Sequence, residues 1–368
     1  MSRSPAHSSV RPVPNTGLSQ GLVGLASGLD ALYLSGRTEL SPHLLTVLDS
    51  GREYAGESGS PVEVQLGGTS WDLASHGWQK YRYCLDHPRG RLGITPSRQL
   101  PTLRFQARAE ALHGLGPVAV IDWIAEVVGE AVGESWWSVS RVDLFSDWQG
   151  WTLQGDDRHR FVCRASVRKT YEDSDRFTGF EFGARGSGTY CARIYDKTLD
   201  IERKGADWWP DVWGDAYNPS ETVHRVEFEI GREALRQFGL DSPASVLDGA
   251  PSLWRYATED WLSWRTPTED QTRSRWPVSP EWLDVQSARL EGAAIGLERT
   301  LDGRRRGSLR KLMPGLNGYL VGFAAHTGCV DIGAVAEALP RALRDYELVS
   351  HRRFEDRVAE RSRELRAG

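Results

Sequence analysis

The sequence has little lysine, few cysteines and no long apolar run. Only five of its 45 basic residues are lysines (Lys80, Lys169, Lys197, Lys204 and Lys311), so nearly all positive charge is guanidinium. Arginine suits planar, bidentate contact with phosphate, although coding bias yields the same count. The net charge of −5 argues against a chain that is basic all over, such as a nucleic-acid coat. It leaves room for local basic surfaces. The four cysteines, Cys84, Cys163, Cys191 and Cys329, are far apart, so there is no Cys-x-x-Cys zinc or redox motif. The nine histidines include no His-x-His or His-x-x-x-His pair, which argues against a histidine metal cluster. The absence of Gly-x-x-x-x-Gly-Lys-Ser/Thr argues against a P-loop ATPase. No stretch approaches the ~18 apolar residues of a membrane span, and the first residues lack the apolar run of a secretory signal. The expectation is a cytoplasmic protein without membrane contact.

What is present is an ordinary globular balance, 39% hydrophobic and 26% charged, which rules out wholesale disorder. At about 150 residues per domain, 368 residues make about two and a half domain lengths. Residues 1–20 read as a flexible tail. Residues 21–265 alternate short β-like runs with glycine turns and helical segments, and residues 266–368 read as a polar linker followed by helices. Pro340 is expected to divide two of those helices. The 15 tryptophans are an excess. Most should be core; Trp208, Trp209 and Trp213 are candidates for base stacking as much as for core.

An internal repeat suggests itself. The run Leu103 to Leu112 with Gly116 lines up with Val226 to Leu235 with Gly239, sharing Phe, Glu, Ala, Leu and Gly. Upstream, Trp71–Gly77 into Tyr81–Tyr83 answers Phe180–Gly186 into Cys191–Tyr195, and Leu29–Leu32 answers Val142–Phe145. Two readings stand: duplication, with halves 21–130 and 131–250, or chance similarity between two hairpin units. The expected fold class is α+β: antiparallel sheets with helices packed on one side, duplication of a ferredoxin-like unit if the repeat is real, and a C-terminal helical region.

Three strands of the second half share one design. In Arg225-Val226-Glu227-Phe228-Glu229-Ile230, alternation places Arg225, Glu227 and Glu229 on one face. In Arg141 to Asp147, the residues Arg141, Asp143, Phe145 and Asp147 share a face. In Arg193 to Lys197, the outward set is Arg193, Tyr195 and Lys197. If the strands are neighbours, their polar face gathers Asp143, Glu227 and Glu229 for a hard divalent cation, Arg193 and Lys197 for a phosphate, and a tyrosine beside both. Arg104 and Gln106 stand where Glu227 and Glu229 stand, and Asp86 aligns with Tyr195, so only the second half has the carboxylates. A phenol near pKa 10 becomes a nucleophile when neighbouring cations favour the phenolate. Arg193, Lys197 and a metal would do this for Tyr195. Tyr190, five residues earlier and on the opposite face, is the rival.

Gly183-Ala184-Arg185-Gly186-Ser187 through Arg193-Ile194-Tyr195-Asp196-Lys197, with Arg141-Val142-Asp143-Leu144, Arg225-Val226-Glu227-Phe228 and Arg275-Trp276-Pro277-Val278-Ser279-Pro280-Glu281-Trp282, resembles the Rep-trans replication initiation factors. That family includes rolling-circle plasmid and phage initiators and related relaxases of conjugative elements. The ordered likeness runs from about Gly28 to Trp282, and Ala184 and Gly188 depart from the family's Gly-Ser-Arg-x-Ser turn. The resemblance implies a metal-dependent DNA-nicking and strand-transfer endonuclease. Tyr195 would be the nucleophile, assisted by Arg193 and Lys197. Asp143, Glu227 and Glu229 would bind Mg2+ or Mn2+. Arg185 and the basic cluster Arg304, Arg305, Arg306, Arg310 and Lys311 would contact DNA. The expected partner is DNA, as origin duplex and single strand, with a helicase and a second copy of the chain left open. Alternatives are a conjugative relaxase and a non-catalytic DNA-binding regulator of replication.

Overall fold

The computed structural model describes residues 21–292, 309–350, 353–356 and 358–359. Contacts divide the chain into two compact units, Met1–Glu298 and Arg299–Gly368. The first half of the larger unit contains β1 (Val23–Arg37), α1 (Pro42–Ser58), β2 (Val62–Leu66), β3 (Thr69–Leu73), β4 (Tyr83–His87), β5 (Gly90–Ile94), β6 (Leu103–Ala107), α2 (Ala109–Leu115) and α3 (Pro117–Val132). The second half contains β7 (Trp136–Gln149), β8 (Phe161–Cys163), β9 (Arg168–Asp173), β10 (Arg176–Phe182), β11 (Tyr190–Asp196), α4 (Lys197–Lys204), α5 (Trp209–Trp213), β12 (His224–Gly231), α6 (Arg232–Gln237) and α7 (Pro243–Tyr256). It ends with β13 (Leu262–Trp264), which pairs with β8, and α8 (Pro280–Gln286). The class is α+β, as the alternating patterns predict.

Eleven strands form one sheet in the order β2-β3-β4-β5-β6-β1-β7-β12-β11-β10-β9. The long strands β1 and β7 lie antiparallel at its middle. Outward from them the order is β6, β5, β4, β3 on one side and β12, β11, β10, β9 on the other. β6 runs into α2 and α3; β12 runs into α6 and α7. The two halves thus share a strand order outward from β1 and β7. Phe105 and Phe228 are both fully buried, and Gly116 and Gly239, which follow α2 and α6, both have positive φ.

The register corrects two of the expected correspondences. Gln106 pairs with Tyr33, and Glu229 pairs with Asp143, so Tyr33 rather than Asp30 answers Asp143. Arg104 pairs with Gly93, and Glu227 pairs with Arg193. Two residues further along each strand, Thr95 rather than Asp86 answers Tyr195. The hairpin matching β10–β11 is therefore β4–β5, not the 71–83 segment. The first half turns in two residues between His87 and Gly90, whereas the second uses a long glycine loop between Phe182 and Tyr190. A short turn and a long loop defeat a linear alignment.

One face of the sheet is apolar because the strands alternate. Leu32, Leu34, Phe105, Val142, Leu144, Ile194, Val226 and Phe228 are buried there with residues of α1, α2, α3 and α7. Helices are not confined to that side. Trp209 and Trp213 of α5 pack with Leu25, Ala26 and Phe145 on the opposite face. The segment 266–275, expected as a polar connector, and the residues after it up to 292 belong to the first unit. Trp282 and Val285 are fully buried, and the Trp282 indole donates to the Thr258 carbonyl at 2.9 Å. Pro340 does not divide two helices; Ile332–Ser350 is one helix containing it. A proline removes one backbone donor, and α7 likewise continues through Pro251. Among the described residues, no single helix is long and apolar enough to cross a membrane.

His224 sits on the apolar face beside Trp151, with 8% exposure. Burial, helped by Arg176 and opposed by Asp196, lowers its pKa to about 4. The unfolded chain then binds more protons between pH 6.5 and 4, so stability falls as pH drops through that window, by about 3 kcal/mol in total. Urea titrations at pH 7 and pH 4.5 should show this loss in the wild type and a smaller one in His224→Gln. Equal losses would remove His224 as the cause.

Candidate functional site

The non-core face of the second half carries its charges in rows set by the register. One row runs Asp143–Glu229–Cys191, the next Phe145–Glu227–Arg193–Glu181–Lys169, and the third Asp147–Arg225–Tyr195–Gly179–Tyr171. The three strands singled out in the sequence are thus neighbours, and their polar residues share one surface.

Arg225 and Asp147 are the most buried charges of this surface, with no exposure. Arg225 Nε and Nη2 donate to the two oxygens of Asp147, each at 2.7 Å, and its Nη1 donates to Asp30 Oδ1 at 2.6 Å. The guanidinium lies 4.0 Å from the Phe145 ring centroid and 4.1 Å from that of Trp209. The Trp213 indole donates to Asp147 Oδ2 at 2.8 Å. Burial alone would raise the Asp30 pKa; Arg225, with His113 and Lys197, reverses this and holds the carboxyl well below the usual range. Trp209 and Trp213 are therefore built into the support of Arg225 and are not open platforms for bases. Trp208 stacks on Trp209 at 4.5 Å.

Tyr195 lies one strand over. Its hydroxyl donates to Glu227 Oε2 at 3.0 Å, while Arg193 binds Glu227 Oε1. Burial first, then Glu227, push the phenol well above its usual pKa; Arg225 and Arg193 oppose this without prevailing. This corrects the expected phenolate. Arg193 is committed to Glu227, and Lys197 to Asp200 at 3.0 Å. Lys197 has left β11 as the first residue of α4, and its Nζ is 6.0 Å from the Tyr195 ring centroid. What remains is a phenol with a carboxylate poised to take its proton. Tyr190 lies on the other face, buried against Tyr256 and Trp261.

Glu229 is tied down from two sides. The backbone N–H of Gly186 donates to its Oε1 at 2.6 Å, and Arg141 Nη1 is 2.9 Å from its Oε2. Gly186 has φ of 69°, a left-handed conformation that suits glycine. The glycine-rich turn thus binds a carboxylate. Arg185, half exposed, is 3.8 Å from the same oxygen. Arg141 also donates to both oxygens of Asp143. Burial nevertheless raises the Asp143 pKa to about 7, against Arg141 and with help from Glu227 and Glu229.

Tyr195, Arg193, Arg185 and Glu181 line an open cleft of about 580 Å³. Glu181 accepts from Lys169 at 2.7 Å and from Tyr171 at 3.1 Å. Gly179 faces Tyr195 across the β10–β11 ladder, and a Cβ there would lie 2.8 Å from the Tyr195 Cβ. The missing side chain leaves room for Tyr195 at the cleft floor.

Among the described residues no three His, Cys, Asp or Glu side chains form a ready metal cage. Asp143 and Glu229 do face one another in register, with Arg141 between their charges. Two carboxylates completed by water and substrate oxygens suit Mg2+. Burial is the first cause of the raised Asp143 pKa, and Arg141 already binds both carboxylates. Of the expected DNA contacts, Arg304, Arg305 and Arg306 lie outside the described residues, as do the side chains of Arg310 and Lys311. The sequence reading missed the part of Asp30 and the pairing of Arg225 with Asp147. The signal available for the latter was that both occupy the polar face of their strands.

Replacing Arg225 leaves Asp147 and Asp30 without their common cation. Arg225→Met should cost about 3–5 kcal/mol in a denaturant titration. Arg225→Lys should recover little, because an ammonium cannot serve a bidentate carboxylate and a second one in this plane. A loss below about 1 kcal/mol would show that the network is not a principal support.

No family model matches the chain. The uncharacterized protein ORF430 of Pseudomonas phage Pf1 is 25% identical over an alignment of 279 residues, spanning 64% of this chain and 62% of that protein. The chain thus spans less than two thirds of that relative's length. Among solved structures, the rolling circle replication initiator protein from Geobacillus stearothermophilus aligns over 74% of this chain and 100% of its own, with 13% identity and a TM-score of 0.43.

Proposed function

We propose that this chain is a DNA-nicking and strand-transfer enzyme that initiates rolling-circle replication. The observation that carries the reading is the Tyr195–Glu227–Arg193 group in an open cleft. A tyrosine hydroxyl points at a buried carboxylate whose other oxygen is held by a guanidinium. The ordered strand motifs, with their resemblance to replication initiation factors, supply the polynucleotide context.

In this mechanism the Tyr195 oxygen attacks a phosphodiester phosphorus as its proton passes to Glu227 Oε2. A new P–O bond forms to tyrosine, and the P–O3′ bond breaks. The departing 3′ oxygen takes up a proton, and the 5′ end stays joined to Tyr195. Preserving bond energy in the phosphotyrosine lets a later 3′-hydroxyl reverse the step and rejoin a strand. Arg193 orients Glu227, and its remaining donors together with Arg185 face the cleft where phosphate oxygens would lie. A divalent cation held by Asp143 and Glu229 would polarise the phosphodiester. Arg141, which binds both carboxylates here, would then be a further phosphate donor. Lys197 acts through packing, beside the Tyr195 ring and paired with Asp200.

The test uses single-stranded oligonucleotides tiled across the replicon that encodes the chain, with Mg2+ or Mn2+. A covalent protein–DNA adduct should appear and map to Tyr195 by mass spectrometry. Tyr195→Phe should abolish it, chelation with EDTA should abolish it reversibly, and Glu227→Gln should slow it about a hundredfold or more. An adduct that persists in Tyr195→Phe, or that maps to Tyr190, would sink the assignment.

A further inference from the structure

The first half of the duplicated sheet has the same face and a different chemistry. Arg104 occupies the place of Glu227, and Gly93 that of Arg193. Because Gly93 has no side chain, the turn between Trp78 and Tyr81 folds down onto the sheet; a Cβ at Gly93 would be 2.9 Å from Tyr81. Gln79, within that turn, has φ of 56°, a conformation that side chains rarely adopt. The Arg104 guanidinium lies 5.1 Å from the Trp78 ring and 5.4 Å from the Tyr33 ring. Tyr33 in turn lies 5.0 Å from Arg141. Rings and guanidinium groups thus run in an unbroken line from Trp78 to the candidate site.

The arginines here differ from those of the second half. Arg141, Arg193 and Arg225 each hold carboxylates. The charges of Arg104, Arg232 and Arg37 all act on the Tyr81 phenol, and none of the three forms a salt bridge with another described residue. The Nε atoms of Arg104 and Arg232 are buried without a hydrogen-bond partner among the described residues. Arg232 binds only the Ser138 hydroxyl, at 2.5 Å. Its pKa is lowered by burial and by the charges of Arg236 and Arg37. Crowded cations with unsatisfied buried donors cost stability unless an anion joins them.

We propose that Arg104, Arg232 and Arg37, with the rings of Trp78 and Tyr33, form a phosphate-binding track for single-stranded DNA. The track would hold the strand beside the scissile bond. The identity of the ligand as DNA rests on the nicking reading. Guanidinium groups would bind successive phosphates, and the aromatic faces would stack against unpaired bases in any sequence. β6 and β12 are three strand spacings apart, about 14 Å, and the track spans them from Arg104 on β6 to Arg232 directly after β12. The duplicated fold would then divide its labour. One half presents carboxylates to a cation and the reacting tyrosine, and the other presents guanidinium groups to the backbone.

The experiment measures binding of fluorescein-labelled oligothymidylate, and of a duplex of equal length, to the full chain by anisotropy across a salt series. Arg104→Gln and Arg232→Gln should each weaken oligothymidylate binding about tenfold. Each should also lower the slope of log Kd against log salt by about 0.7. Arg104→Lys should retain most of the slope. Glu57→Gln, at an exposed position of α1 away from both sites, should bind as the wild type does. If no adduct forms with any DNA but the arginine variants still lose oligothymidylate, the nicking reading fails and the track stands. Affinity within twofold of the wild type and an unchanged slope, in variants with wild-type thermal unfolding, would overturn the track. Loss confined to the duplex would overturn it as well.

Discussion

Arg225 is a guanidinium with no access to water, held by Asp147 on one neighbouring strand and by Asp30 on the next. In a low-dielectric interior such a charge is tolerable only if its donors are satisfied, and here Asp147 takes two of them in a planar fork. The consequences spread outward. Satisfying Arg225 locks β12 against β7 and β1 in one register, because a slip of one residue would send Arg225 to the apolar face. It also requires cover. Phe145 and Trp209, edge to face with one another, both pack against the guanidinium, and Trp213 anchors α5 by donating to Asp147. Tyr195 pairs with Arg225 in the ladder, and Glu227 lies two residues along β12. The candidate catalytic pair is thus positioned by the same buried network that holds the centre of the sheet.

That network also explains how the tyrosine can react. Cations that would have stabilised a phenolate are engaged elsewhere: Arg193 on Glu227, Lys197 on Asp200, Arg225 on two aspartates. Burial first, and Glu227 second, raise the phenol's pKa, and Arg225 and Arg193 oppose this without prevailing. In the proposed reaction the phenol would depend on a base within hydrogen-bond reach, and Glu227 stands at that distance.

The sheet as a whole reads as one unit used twice. β1 and β7 pair at the seam, and each half repeats its strand order outward from there. Equivalent positions have diverged by charge: Glu227 against Arg104, Glu229 against Gln106, Tyr195 against Thr95. Backbone pairing is indifferent to these changes, because the residues concerned lie on the face away from the core. Apolar positions such as Phe105 and Phe228 have stayed apolar because both are sealed under helices. The two halves thus share buried apolar positions and differ in the residues of their polar faces.

Alternation in the sequence is enough to tell which residues share a face. Arg225, Glu227 and Glu229, or Arg141, Asp143 and Asp147, fall together because a strand repeats every two residues. The α+β class, the strand-to-helix repeat and the polar face with Tyr195 are all legible at that level. Partnership across the sheet is not. Asp30 and Arg225 are 195 residues apart, and nothing local records that they meet. The same holds for the commitment of each arginine to a carboxylate, for the Trp209 and Trp213 cover, and for the match of Thr95 to Tyr195. Pro340 inside one helix and the buried Trp282 beyond the expected linker are of the same kind. Local pattern determines what each strand can present. Only long-range pairing and desolvation decide which charges neutralise one another and which remain for a ligand.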